Sequence, residues 1–184
     1  FKNEVTYLGF RLTAKGLAPD ETLLEKMRNL APPTNVKETQ RVLGLFGFYR
    51  KFVRDFSKIA KPLSKLVRRD EPWHWGPDQQ QAFETLRDKL CSEPVLLRYP
   101  DLAKPFVIRC DASTTAIGAV LEQISPEDNQ LHPCAYAARS LTDCETRYTP
   151  SELEMLAVKW SCEHFKEYVA CCPELIIFTD HKAL

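Results

Sequence analysis

Hydrophobic and polar positions along the chain follow two periods, one near two residues and one near 3.6, and the alternation between them outlines the elements. Residues 5–18 (VTYLGFRLTAKGLA) bring β-branched and aromatic residues together over short intervals, which predicts two short strands turned at Lys15-Gly16. Pro19-Asp20 opens a helical stretch over 21–30 that Ala31-Pro32-Pro33 ends. A second helix is expected over 36–52, where Thr34 or Asn35 can accept a hydrogen bond from a free amide of the first turn. From Phe48 onward, Phe52, Phe56, Ile59, Leu63 and Leu66 recur at helical spacing. Arg50, Arg54, Lys58, Lys61, Lys65 and Arg68 recur at the same spacing, two residues later. Two residues are about 200° around a helix, so an apolar and a basic face point opposite ways. Pro62 has no amide hydrogen for a mid-helix bond, which predicts two helices divided there.

Residues 70–77 form a connection rich in proline and tryptophan. Trp73 and Trp75 are expected to pack that junction, with base stacking as the other role open to them. A helix over 78–91 carries Phe83, Leu86 and Leu90 on one face and stops before Pro94. The pattern then changes. Phe106-Val107-Ile108 begin a strand that runs out at Asp111, and residues 116–123 and 131–141 read as two more strands joined by the polar turn SPEDNQ. The strongest helix spans 146–169, with Thr149 or Ser151 as cap and Pro150 suited to the first turn. Its expected buried stripe is Leu153, Ala157, Trp160, His164 and Tyr168. A last strand over 175–179 leads into Asp180-His181, so the order of this second half is β-β-β-α-β.

At 184 residues, with 44% hydrophobic and 27% charged side chains, the chain has material for one full domain or two small ones. The longest charge-free apolar stretch, 42–49, is too short to cross a bilayer, and no secretory leader pattern opens the chain. Beginning at Phe1 and ending at Leu184 within an ordered pattern, it reads as an internal piece of something longer. The net charge of zero conceals a division: residues 1–71 hold 15 Lys/Arg against 8 Asp/Glu, and residues 72–184 hold 10 against 17. Between Lys37 and Arg69 the basic residues outnumber the acids ten to two, which favours a phosphate-facing surface over an ordinary solvated face. The seven cysteines contain no CxxC pair and fit a reducing compartment better than a disulfide framework. A zinc site from His164, Cys171, Cys172 and His181 matches no common spacing.

Asp111 and Asp180 follow strands, and Glu152 or Glu154 lies on the strong helix. Carboxylates at the ends of neighbouring elements are what a divalent-cation site needs, because Mg²⁺ takes oxygen ligands and few protein carboxylates. Helical periodicity does not separate the two glutamates.

The motifs YLGF…KG, VLGLFGFYRKFVRDFSKIAKPLSKLVRR, WHWGPDQQQAFETLRDKL, PFVIRCDAST…IGAVLEQ, AYAARSLTDCETRYTPSELEMLAV and FTDHKAL, in this order, resemble gypsy-type LTR retrotransposon pol polyproteins over essentially the whole chain. The resemblance implies an α+β or α/β architecture, a helical thumb-like module followed by an incomplete RNase H-like fold with a mixed sheet. It implies the end of a reverse transcriptase palm over 1–19, with a primer-grip-like hairpin at Tyr7-Leu8-Gly9-Phe10. A thumb-like module would follow over 20–71, a connecting segment over 72–104 and the RNase H-like domain over 105–184.

By the same resemblance Asp111, Glu154 and Asp180 are the catalytic acids and the ligands of two Mg²⁺ ions, with Mn²⁺ as substitute, and Glu152 is a surface neighbour. The implied reaction is hydrolysis of the RNA strand of an RNA–DNA hybrid. The basic row from Arg50 to Arg68 would track the template–primer duplex, with the rest of the polyprotein as partner, no membrane, and a cytoplasmic particle as the setting. The polymerase Tyr-x-Asp-Asp motif is expected upstream and a fourth acid beyond Leu184, so the piece alone is not expected to polymerise DNA or to hold a complete hydrolytic centre. The competing reading is a non-catalytic nucleic-acid-binding remnant or domesticated domain.

Overall fold

The computed structural model describes residues 4–91 and 96–180. Strands β1 (Glu4–Tyr7), β2 (Phe10–Thr13) and β3 (Gly16–Pro19) form a small antiparallel sheet. The pattern predicted two strands here, and there are three. The additional turn is Leu8-Gly9, both with positive φ (48° and 81°), the backbone that a two-residue hairpin requires. Tyr49 closes over it, its hydroxyl donating to the Gly9 carbonyl at 2.9 Å. A side chain on Gly9 would collide with that hydroxyl.

Helices α1 (Glu21–Arg28), α2 (Val36–Phe48), α3 (Phe56–Lys65) and α4 (Pro77–Cys91) follow. Asn35 caps α2, its side chain accepting from the Glu38 amide, while Glu38 in turn accepts from Thr34. The division between helices falls at residues 49–55 rather than at Pro62. A short 3-10 turn (Arg50–Phe52) and Asp55, in a left-handed conformation at φ 59°, end one axis and start the next. Pro62 sits inside α3, where the amide bond it forgoes is the one to Lys58, an exposed residue. Phe48, assigned to the apolar stripe, is 53% exposed, and the neighbouring Tyr49 takes the buried place at 1%.

One core joins Leu24, Met27, Val42, Phe46, Tyr49, Leu63, Phe83 and Leu86, so α4 belongs to the same packed body as α1 to α3. Trp73 and Trp75 pack this junction. Trp73 donates to Thr39 Oγ1 (3.1 Å), Trp75 donates to Gln80 Oε1 (2.8 Å), and the two rings stack.

The second body is a four-stranded sheet of β4 (Phe106–Ala112), β5 (Ala116–Ile124), β6 (Leu131–Ser140) and β7 (Leu175–Phe178), in the order β6-β5-β4-β7. β4, β5 and β6 are antiparallel neighbours, and β7 pairs parallel with β4. α5 (Pro150–His164) makes the crossover and α6 (Lys166–Val169) extends it after a break at Phe165. Buried Leu153, Ala157, Ser161 and Phe165 form a row of four-residue steps along α5. The predicted stripe departs from this row after Ala157: Trp160 is only half-buried and His164 is exposed. The core of this body gathers Phe106, Ile108, Cys110, Ile117, Leu121, Ala157 and Phe165. All seven cysteines are free.

Leu97 and Arg98 tie the bodies together. Leu97 exchanges backbone hydrogen bonds with Leu17 of β3 (2.8 and 2.9 Å), and the Arg98 amide donates to Pro133 of β6 (2.9 Å). α3 and the 3-10 turn also lie against β6.

Gly44 lies in the interior of α2 with open space where a Cβ would stand. Gly44→Ala is therefore expected to stabilise the protein by about 0.5–1 kcal/mol in urea denaturation, because glycine costs a helix interior backbone entropy that no contact recovers.

The approach to α5 is held by Arg139, whose two terminal nitrogens donate to Glu145 at 2.7 and 2.8 Å, while the Thr142 amide donates to the same carboxylate. That guanidinium first, then the Thr142 amide, hold the Glu145 carboxyl down to about 2. Its pKa is depressed on folding, so the stabilisation is present above the ordinary glutamate value and disappears as pH falls through about 2. Glu145→Gln should cost about 1 kcal/mol at neutral pH, allowing for solvent screening. In denaturation at stepped pH the gap to the parent protein should close as pH falls below that ordinary value.

Candidate metal centre

Two strands and one helix deliver the acids. In the parallel ladder Arg109 stands opposite Phe178, so two residues farther along each strand direction come Asp111 and Asp180. Ser113 holds the chain as it leaves β4, accepting from the Thr115 and Ala116 amides and donating to the Ala116 carbonyl. The third acid comes from the second turn of α5. There Thr149 and Glu152 form a reciprocal cap, Glu152 Oε2 accepting from the Thr149 amide (2.7 Å) and hydroxyl (2.9 Å). The cap occupies Glu152 at the exposed helix entry, and Glu154, 8% exposed, turns inward beside the strand ends.

One carboxylate oxygen each from Asp111, Glu154 and Asp180 lie within 4.8 Å of one another. Glu154 accepts a hydrogen bond from Thr179 Oγ1 at 2.9 Å. Burial is the main cause that raises its carboxyl above the ordinary glutamate value. The Thr179 bond works against that, and neighbouring Asp180 and Asp111 add to it. Among the described residues no Lys, Arg or His forms a salt bridge with any of the three. Three carboxylates so close, one desolvated and none neutralised, form an all-oxygen donor set that suits a hard divalent cation. This is also the only group of potential metal-ligating side chains found among the described residues. The zinc combination considered from sequence includes His181, which lies outside them.

The basic row is exposed throughout, at Arg50, Arg54, Lys58, Lys61, Lys65 and Arg68. It does not run along one helix: Arg50 is in the 3-10 turn, Lys58, Lys61 and Lys65 are on α3, and Arg54 and Arg68 flank that helix. Lys65 pairs with Glu71 and Arg54 loosely with Asp55. Arg50, Lys58, Lys61 and Arg68 make no ion pair among the described residues. Lys58 and Asp55 share a narrow cleft with Asp111, so the basic surface begins beside the acidic centre. That adjacency was not visible in the sequence, where the two groups lie in separate halves.

A mixed sheet with one parallel edge, a crossover helix and acids at the parallel end together define an RNase H-like domain. The family model of the RNase H-like domain found in reverse transcriptase matches residues 75–176. The chain belongs to this family. It is 36% identical over 192 residues to the retrovirus-related Pol polyprotein from transposon opus of Drosophila melanogaster, a match covering 98% of this chain and 19% of that protein. It is 35% identical to the corresponding polyprotein from transposon 412 of the same species, covering 100% of this chain and 15% of that protein. To the transposon Tf2-3 polyprotein of Schizosaccharomyces pombe it is 34% identical, covering 100% and 14%. The chain thus spans less than a fifth of the length of these curated relatives.

Among solved structures it is similar to the foamy viral protease-reverse transcriptase in complex with RNA/DNA hybrid, with TM-score 0.81, 27% identity, and coverage of 99% of this chain and 25% of that one. The foamy viral protease-reverse transcriptase dRH in complex with ds DNA gives TM-score 0.82, 27% identity, and coverage of 99% and 32%.

Clustering of the three carboxylates predicts a stability response. In metal-free buffer Glu154→Gln should raise Tm by about 2–4 °C, equivalent to about 1 kcal/mol, because it removes a desolvated charge. Mg²⁺ should raise the Tm of the parent protein and have little effect on the variant, as read by thermal denaturation.

Proposed function

We propose that this chain is the thumb-like and RNase H-like portion of a gypsy-type retrotransposon reverse transcriptase, and that it hydrolyses the RNA strand of RNA–DNA hybrids. The observation that carries this reading is the convergence of Asp111, Glu154 and Asp180 at the end of the parallel strand pair, beside an exposed basic surface. In this reading residues 1–19 close a palm with its primer-grip-like hairpin, 20–71 form the thumb-like module, 72–104 connect, and 105–184 are the nuclease domain. α4 packs into the helical core, which couples the connecting segment firmly to the thumb-like module.

The donor set fits Mg²⁺, with Mn²⁺ as substitute, and Asp111, Glu154 and Asp180 would hold two ions. Bound there, such ions supply a water activated for attack on phosphorus and stabilise the leaving oxygen. The chain's own residues do the rest. Thr179 orients the Glu154 carboxylate, and the parallel register holds Asp111 level with Asp180. The cations from Arg50 to Arg68 hold the phosphate backbone, which makes binding sensitive to salt and tolerant of sequence. Recognition of the hybrid rests on duplex shape and 2′-hydroxyl contacts.

The test is cleavage of an end-labelled RNA–DNA hybrid with Mg²⁺, beside an Asp111→Asn control. The expected result is cleavage that falls by about 100-fold or more in the variant, since even residues that only support metal ligands are worth 10–100-fold. The assay uses the chain extended past Leu184 through the segment expected to carry the fourth acid. If that protein folds, binds hybrid and leaves it intact, the hydrolytic reading is overturned and the non-catalytic nucleic-acid-binding alternative supported.

A further inference from the structure

A cleft of about 430 Å³ opens where the 3-10 turn meets β6 and α5. Phe48, Arg50 and Lys51 line it from the helical body, and Arg139, Trp160 and His164 line it from the sheet body. No carboxylate is among its lining residues, and Arg50 makes no ion pair among the described residues. The Trp160 and His164 rings stack with centroids 5.1 Å apart, and the Arg139 guanidinium lies 5.8 Å from the Trp160 ring centre. Partial burial of the His164 ring, and then the facing Arg50 charge, hold its pKa below the ordinary histidine value. Phe48 leaves a large apolar face exposed at the mouth.

Arg50, which has no carboxylate partner among the described residues, and Lys51, whose ammonium rests over the Phe10 ring at 4.0 Å, stand beside two stacked rings and call for a ligand that is both anionic and aromatic. We propose that this cleft holds one unpaired nucleotide of a nucleic-acid strand, its phosphate against Arg50 and Lys51 and its base extending the stack of Arg139, Trp160 and His164. A strand, rather than a free nucleotide, follows from the nearness of the acidic centre. Asp111, Gly118 and Ala138 are lateral neighbours across β4, β5 and β6, and Ala138 lines both this cleft and the narrow one beside Asp111. Two strand spacings, roughly 10 Å, therefore separate Asp111 from the Ala138 edge of this cleft. An unpaired base is required because a base inside a duplex has its faces covered by its neighbours. The inference rests on the nucleic-acid part of the function proposed above and does not depend on hydrolysis.

The test is photo-cross-linking of a bromouracil-substituted single-stranded oligonucleotide to the chain in EDTA, with affinity measured by fluorescence anisotropy. Cross-links are expected at Trp160, His164 or Phe48. His164→Ala, at an exposed position, should weaken binding about tenfold. Arg50→Gln should lower the log–log salt slope by about 0.7. Cross-links confined to other surfaces, unchanged affinity in a folded His164→Ala protein, or a mononucleotide binding as tightly as the oligonucleotide would each overturn the proposal. Hybrid duplex assayed in parallel separates the two readings: duplex retained while the oligonucleotide ignores the cleft removes this site and leaves the basic row standing.

Discussion

The parallel pairing of β4 with β7 is the constraint on which the candidate centre depends. Only that register sets Asp111 level with Asp180, and only a crossover helix returning from β6 to the far side of β4 makes the pairing possible. α5 is that crossover. Its fully buried residues Ala157 and Ser161 are small, which lets the helix axis approach the sheet and brings Glu154 down beside the strand ends. Packing of Phe106, Ile108 and Phe165 in the core beneath then holds three carboxylates together against their mutual repulsion. The structure stores an electrostatic demand that a cation can meet.

The relation between the two bodies gives that demand a context. Shared packing, the Leu17–Leu97 bridge and the contact of α3 with β6 fix the basic helical layer against the sheet. Gly118 contributes to this fit, since Asp55 Oδ1 would stand 3.2 Å from a Cβ placed there. Cationic and acidic surfaces consequently meet at Lys58 and Asp111. A polyanion drawn along the first would therefore meet the second.

Much of the local structure was legible because its causes are local. The caps at Asn35 and Thr149, the glycine-containing turn at Lys15-Gly16, and the three strands that open the second body all follow from neighbouring residues. The departures share a different origin. The strand pattern passes over the Leu8-Gly9 turn, where the resemblance implied a hairpin, because leucine seldom adopts positive φ, and Asp55 ends the helical axis through its backbone while the proline seven residues later is absorbed into α3. Phe48 and His164 have the right spacing for burial yet face outward, since a helical stripe read from periodicity has a width of one residue either way.

The sequence by itself determined the order of elements in the second half, the division of charge between the halves, and the acids available at strand ends and on the helix, because hydrogen-bonding periods and side-chain chemistry are written within a few residues. Tertiary structure decided that Glu154 is desolvated beside the strand ends, how Asp111 and Asp180 come level, and that basic and acidic surfaces adjoin. These outcomes depend on strand register and helix placement between segments far apart in the chain, and no local pattern carries that information.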